Sequence, residues 1–286
     1  MTEVGLILAR WLHYGAVTTQ FGLALFLLYA PRTRLGREPA TRRTTAVLAW
    51  LALASGVGWL LFSTASMAGD LASTPGALST VLFETDFGPI WTGRMALALM
   101  LCLPPIRHRT RIQMILAGLL LASLALTGHA RLHEGAVGWV HGASDAAHLL
   151  AAGTWLGALA AFVILLRQAP DDAETARALG DFSTVSSIAV TVLLASGLAN
   201  TWFVLEAPTL LVTSLYGRLL MLKVGLFALM VALAGANRFR LVPALKAASD
   251  SSGVANQLRR HALAELALGA AVLLVVAGLG TLDPAA

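Results

Sequence analysis

Apolar residues run along this chain in long blocks separated by short polar stretches, at roughly Val4 to Tyr29, Thr44 to Met67, Gly88 to Ile106, Ile112 to Gly128, His141 to Leu166, Phe182 to Leu205, Leu215 to Asn237 and His261 to Thr281. Wound as an α-helix, a run of about 20 residues spans a hydrocarbon core of about 30 Å. A helix also satisfies its own backbone hydrogen bonds, which lipid cannot do for it. The pattern predicts an all-α polytopic membrane bundle of about eight transmembrane helices, with residues 1–286 forming a single integral membrane domain.

The polar stretches alternate in charge. Arg32, Arg34, Arg37, Arg42 and Arg43 follow the first block, Arg107, Arg109 and Arg111 the third, Arg167 and Arg177 the fifth, and Arg238, Arg240, Lys246, Arg259 and Arg260 the seventh. Fifteen of the 20 lysines and arginines thus fall on one side of the predicted bundle. The positive-inside rule makes that side cytoplasmic and both termini periplasmic, in a bacterial inner membrane. The opposite connections carry Asp70, Glu84, Asp86, Glu134, Glu206 and Asp283, and two of them are longer, Asp70 to Pro89 and His129 to Asp145. Longer loops carry function more often than short closures of about two to six residues.

Composition agrees with lipid as the solvent. Hydrophobic residues make up 57%, charged residues 12%, and the mean hydropathy is +0.76, which leaves too little polar surface to cover a soluble globule. The net charge of +5 sits in loop clusters rather than on one basic face, so no nucleic-acid partner is expected. A single cysteine, Cys102, excludes an intrachain disulfide and a cysteine-cluster metal site. Arg10 and His13 interrupt the first block and no small-residue cleavage site follows it, so it reads as a retained span. No nucleotide loop, nucleophile constellation or phosphorylated-aspartate motif occurs, so the expectation is a protein that is not an enzyme.

Helix rise turns sequence distance into depth. His13 lies 19 residues before Arg32, His148 lies 19 before Arg167, and His129 lies 18 after Arg111. At about 1.5 Å per residue, all three stand about 27–28 Å from the inner anchors. Imidazoles from the first, fourth and fifth spans therefore reach one plane at the outer interface, where a shared metal site is expected. On the fifth span His141, Asp145 and His148 fall at i, i+4 and i+7 and share a helix face, which Trp155 continues deeper. His133 follows His129 by four residues. Imidazole is a usual ligand for copper and zinc, and a carboxylate behind it fixes its tautomer. Taken singly, each histidine reads first as a solvated residue at a span end.

Two cations sit inside the spans. Arg94 is 13 residues from Arg107 and Lys223 is 15 from Arg238, about 20 and 22 Å from the inner side. An ionisable group at that depth is a functional candidate by default. These cations can hold an anion such as a haem propionate, or fix helix register as buried ion pairs with Asp145, Glu84 or Asp86. Arg10 and Arg218 are shallower and are expected to snorkel. Met95 and the other intramembrane methionines read as packing, with Met67 a minor soft-donor candidate; His261 and Glu265, one turn apart with His108 in a neighbouring loop, can receive a released ion but read first as ordinary interface residues.

The stretch TGHARLHEGAVGWVHGASDAAHLLAAGTWLGALAAFVILLR, Thr127 to Arg167, resembles the CopD family of bacterial copper-resistance membrane proteins. RWLHYGAVTTQFGLALF near the N-terminus, FSTVSSIAVTVLLASGLANTW from Phe182 and YGRLLMLKVGLFALMVALAGANRFRLVPAL from Tyr216 match the same pattern, so the resemblance covers most of the chain. It implies copper handling at the inner membrane, with import from periplasm toward cytoplasm as the usual proposal. It also implies a separate CopC-like periplasmic copper-binding protein as partner, since this chain lacks the soluble copper module fused to some relatives. The positions matching the family pattern are His13, His129, Asp145, His148, Arg94 and Lys223.

Three readings stand at this point. In the first, copper is bound by His13, His129 and His148, with Asp145 orienting a ring and His133 or His141 assisting capture, and then crosses the membrane. In the second, two of these histidines ligate haem b and Arg94 with Lys223 meets its propionates. In the third, the chain is a non-transporting scaffold or copper sensor that docks a periplasmic protein.

Overall fold

The computed structural model describes residues 2–31, 33–128, 135–168, 173–204, 209–247 and 252–283. Among these residues every regular element is helical. In chain order they are α1 (Thr2–Tyr29), α2 (Pro39–Ala68), α3 (Thr74–Phe83), α4 (Phe87–Cys102), α5 (Pro104–Arg107), α6 (Thr110–Ala122), α7 (Gly135–Gln168), α8 (Ala173–Val204), α9 (Leu210–Thr213), α10 (Leu215–Ala236), α11 (Val242–Ala247) and α12 (Ser252–Leu279). A 3₁₀ stretch, Ser123–Thr127, extends α6, and a π-turn, Asn237–Leu241, joins α10 to α11.

Helix ends follow local chemistry. Pro39 opens α2, where its missing N–H has no intrahelical partner to lose, and Gly69 closes it at φ 94°. The Ser214 hydroxyl caps α10 by accepting from Gly217 N at 2.9 Å. Pro104 and Pro105 stop α4 at Cys102, so the third apolar block divides into two helices rather than running on to Ile106. After α2 the Asp70 carboxylate accepts from Ser73 N at 2.7 Å, a bond that holds its pKa below the ordinary value. The connection from Asp70 to Pro89 is not simply a loop, because α3 occupies its middle and packs on α2 and α4.

Among the described residues six helices are long and apolar enough to cross a membrane: Pro39–Ala68, Thr110–Thr127, Gly135–Arg167, Arg177–Val204, Leu215–Ala244 and Gly253–Leu279. α4 is a shorter apolar helix, and α1 is the central one, packed on α2, α6, α7 and α12. Aromatic residues at helix ends face outward, with Trp139, Trp202 and Phe239 each at least 75% exposed, as suits an interfacial belt.

α1 and α7 meet along a glycine seam. A Cβ placed on Gly157 would lie 2.5 Å from Gly22 Cα, and one on Gly153 would lie 3.5 Å from Thr18 O. Further along, Leu23 and Phe26 of α1 share a core with Ala158, Ala161 and Leu165 of α7. The pairings step in the same direction along both chains, so the two helices run parallel. Small residues at such a seam let the backbones close in, which in lipid supplies the packing that the hydrophobic effect supplies in water. One core lies on the α2, α4 and α6 side of the seam, and a second on the α8, α10 and α12 side.

Candidate functional site

Five residues before Thr18 and five before Gly153 lie His13 and His148, so parallel pairing puts these histidines at one level, as the depth argument requires. Their rings turn to different helices. His13 is fully buried, and its Nδ1 lies 2.9 Å from Ala52 O of α2. A carbonyl only accepts, so Nδ1 is the donor, and Nε2, which has no hydrogen-bond partner, keeps its lone pair. The ring packs edge-on to Trp59 at 5.7 Å. The α2 backbone comes this close because residue 56 is glycine: a Cβ there would lie 3.0 Å from Met95 Sδ and 3.4 Å from His13 Cε1. The imidazole of α1 and the thioether of α4 thus border one cradle on α2.

Arg94 forms the wall of this pocket. It is 1% exposed, donates from Nε to Ser123 Oγ at 3.2 Å, and from Nη2 to Ser123 O at 2.7 Å and Thr127 Oγ1 at 3.0 Å. Its guanidinium lies 4.9 Å from the Trp91 ring centroid and 5.4 Å from that of Trp59. Neutral oxygens and aromatic faces thus meet Nε and Nη2 of the guanidinium, while Nη1 is buried without a hydrogen-bond partner among the described residues. Arg10 donates to Gly280 O at 2.6 Å and joins α1 to the exposed end of α12.

The second pocket is a ladder between α7 and α8. His141 stacks on Phe203 at 4.8 Å, Asp145 Oδ1 accepts from Asn200 Nδ2 at 2.6 Å, and His148 Nδ1 bonds Ser196 Oγ at 3.0 Å. The residues paired rise on α7 as they fall on α8, the signature of an antiparallel contact. The face read from the spacing of His141, Asp145 and His148 is thus the face turned to α8. Ser196 gives its own proton to Val192 O at 2.6 Å, so His148 Nδ1 is the donor and Nε2 again keeps its lone pair. Lys223 and Tyr216 of α10 lie within electrostatic range of Asp145, and Lys223 within range of His148. Asp145 therefore offsets the half-buried lysine.

The 3₁₀ stretch links the two pockets. Ser123 and Thr127 hold Arg94, and a Cβ on Gly128 would lie 3.5 Å from Asp145 Oδ2. His129 follows Gly128 in the sequence; it and His133 lie outside the described residues. Among the described residues no group of three His, Cys, Asp or Glu side chains gathers. Among the described residues His13 shares one pocket with Met95, and His148 shares another with Asp145.

Sequence reasoning missed Met95, Ser196, Asn200 and Gln20. Gln20 lies seven residues below His13 on the same α1 face, is 1% exposed, and has no partner for either amide atom. A scan for every intramembrane amide and hydroxyl, not only for charges and imidazoles, would have found three of the four.

Fold and pockets together define an integral membrane helical bundle that buries imidazoles beside a thioether and a carboxylate. The chain belongs to the copper resistance protein D family: residues 1–139 match the copper resistance protein D-like N-terminal domain and residues 176–279 match copper resistance protein D. It is 37% identical over 308 aligned residues to Copper resistance protein D of Pseudomonas syringae pv. tomato, covering 97% of this chain and 96% of that protein. It is 31% identical to Inner membrane protein YebZ of Escherichia coli strain K12, covering 97% and 98% of the two chains. It is 33% identical to Copper transport protein CutJ of Bacillus subtilis strain 168, covering 94% of this chain and 51% of that protein. No solved structure matches it. The chain is accordingly a multi-pass inner-membrane protein of copper resistance and homeostasis.

Proposed function

We propose that this protein is a copper transporter that takes copper at the periplasmic half of the membrane and passes it toward the cytoplasm. The observation that carries the reading is His13 Nε2, buried without a hydrogen-bond partner beside the same glycine as Met95 Sδ. An orphaned buried nitrogen is rare unless something fills its need, and an imidazole with a thioether suits Cu(I). Relatives named for copper resistance and copper transport support copper as the cargo.

In this reading the chain is one integral domain of eight spans with both termini periplasmic, α1 and α4 joining the six long apolar helices. His148, oriented by Ser196, is the ligand of the α7–α8 pocket; Asp145 lends negative charge, and His141, with His129 and His133 from the adjoining connection, assists capture. A CopC-like periplasmic protein delivers the ion. Arg94 and Lys223 serve as fixed charges that set helix register.

Copper uptake into proteoliposomes tests the reading. The parent chain should accumulate copper, and the His13→Ala and His148→Ala variants should accumulate it at least about tenfold more slowly, the scale of losing one ligand's contribution. Copper binding without flux by the parent would leave a scaffold or sensor in place of a transporter.

A further inference from the structure

At the end of the bundle that carries the arginine-rich connections, α7, α8, α10 and α12 border a cavity of about 360 Å³. Its walls include Trp155 and Phe162, which continue the α7 face that bears His148. Its polar lining includes Asn237, Glu265 and Ser186. Glu265 is 1% exposed; its Oε1 accepts from Asn237 Nδ2 at 2.7 Å, and its Oε2 has no hydrogen-bond partner.

Asn237 serves a second group. Its Oδ1 lies 2.8 Å from His261 Nδ1. Because Nδ2 is committed to the carboxylate, Oδ1 is the acceptor, His261 Nδ1 is the donor, and Nε2 holds the lone pair. One amide therefore orients both an imidazole and a carboxylate, four residues apart on α12, each with a coordinating atom left over. Asn237 opens the π-turn Asn237–Leu241, an irregularity that helices adopt frequently at functional sites. Arg238 of the same turn does not serve as counter-charge. It donates to Ser183 O at 2.8 Å and to Ser187 Oγ, both on α8. The Oε2 of Glu265 is thus left open inside the cavity to a proton or to a metal ion.

We propose that Glu265 Oε2 and His261 Nε2, oriented by Asn237, form a second cation site that binds a divalent first-row metal ion and is separate from the pockets of His13 and His148. The mixed nitrogen and oxygen donors suit borderline divalent ions rather than Cu(I), and Ser186 Oγ, also without a partner, is a further oxygen in the cavity that Glu265 lines. The site stands whether or not the His13 pocket takes copper.

Co²⁺ is the probe, because its visible spectrum reports its ligands. The full chain carrying His13→Ala and His148→Ala is purified in detergent and titrated with Co²⁺. One equivalent should bind, with affinity lowered at least tenfold by Glu265→Gln or His261→Ala and about 10–100-fold by Asn237→Ala, which removes only the orienting group. Glu265→Gln keeps the shape of the side chain, and circular dichroism checks its fold; if it fails to fold, Asn237→Ala and His261→Ala decide. A double variant that takes up no Co²⁺, or one whose binding ignores all three further changes, overturns the proposal and leaves Glu265 a proton carrier.

Discussion

Replacing Gly22 by alanine strikes the seam that holds the two pockets level. The added Cβ would lie 2.7 Å from Gly157 Cα and closer still to Gly153 O, against 3.4–4 Å for ordinary contact. Both obstacles are backbone, so no side chain can swing aside and α1 must back away from α7 by roughly 1 Å. A gap of about 0.5–1 Å forfeits a quarter to a half of each contact's attraction, and overpacking of a close-packed site costs about 1–3 kcal/mol. Gly22→Ala should therefore destabilise the bundle by about 3 kcal/mol. Gly15, on the same helix, has nothing within 4 Å of its would-be Cβ. Gly15→Ala should gain up to about 1 kcal/mol from helix propensity. Reversible unfolding in mixed micelles, followed by circular dichroism, compares the two. Equal stability of Gly22→Ala and Gly15→Ala would show that the seam does not set the distance between α1 and α7.

Other changes test the pockets singly. Asn200→Ala removes the donor to Asp145 Oδ1 and should cost about 1–2 kcal/mol in the same unfolding assay, while Asn200→Asp, which sets two carboxylates together, should cost more. Arg94→Lys keeps the charge but not the fork that reaches both Ser123 and Thr127, so it should lose about 2–3 kcal/mol and fail to rescue. Met95→Leu preserves volume and should unfold within about 1.5 kcal/mol of the parent, yet abolish sulfur scattering in X-ray absorption spectra of the Cu(I)-loaded chain.

Much of the architecture was legible because lipid imposes simple rules. Apolar block length gave the helices, and arginine spacing gave the common level of His13 and His148, which parallel packing of α1 and α7 reproduces. Periodicity likewise gave the shared face of His141, Asp145 and His148. Rise along a helix fixes depth, but it says nothing of azimuth. Only packing turns His13 toward Ala52 and Met95 while His148 turns toward Ser196. Met95 was hidden because a methionine in an apolar helix reads as filler until a glycine such as Gly56 brings it to an imidazole. Asn200 and Ser196 were hidden because neutral polar residues scarcely change the hydropathy of an apolar span. The short α3 escaped notice because Gly76, Pro75 and its serines and threonines read locally as a loop, whereas packing on α2 and α4 makes it a helix.

Titration of the purified chain with Cu(I) against a competing chelator tests most directly whether imidazoles buried in this bundle hold copper. The parent should bind tightly, His13→Ala and His148→Ala should each weaken binding at least about tenfold, and the double variant should bind no better than the weaker single one. A double variant that matches the parent in stoichiometry and affinity would contradict the assignment of both pockets.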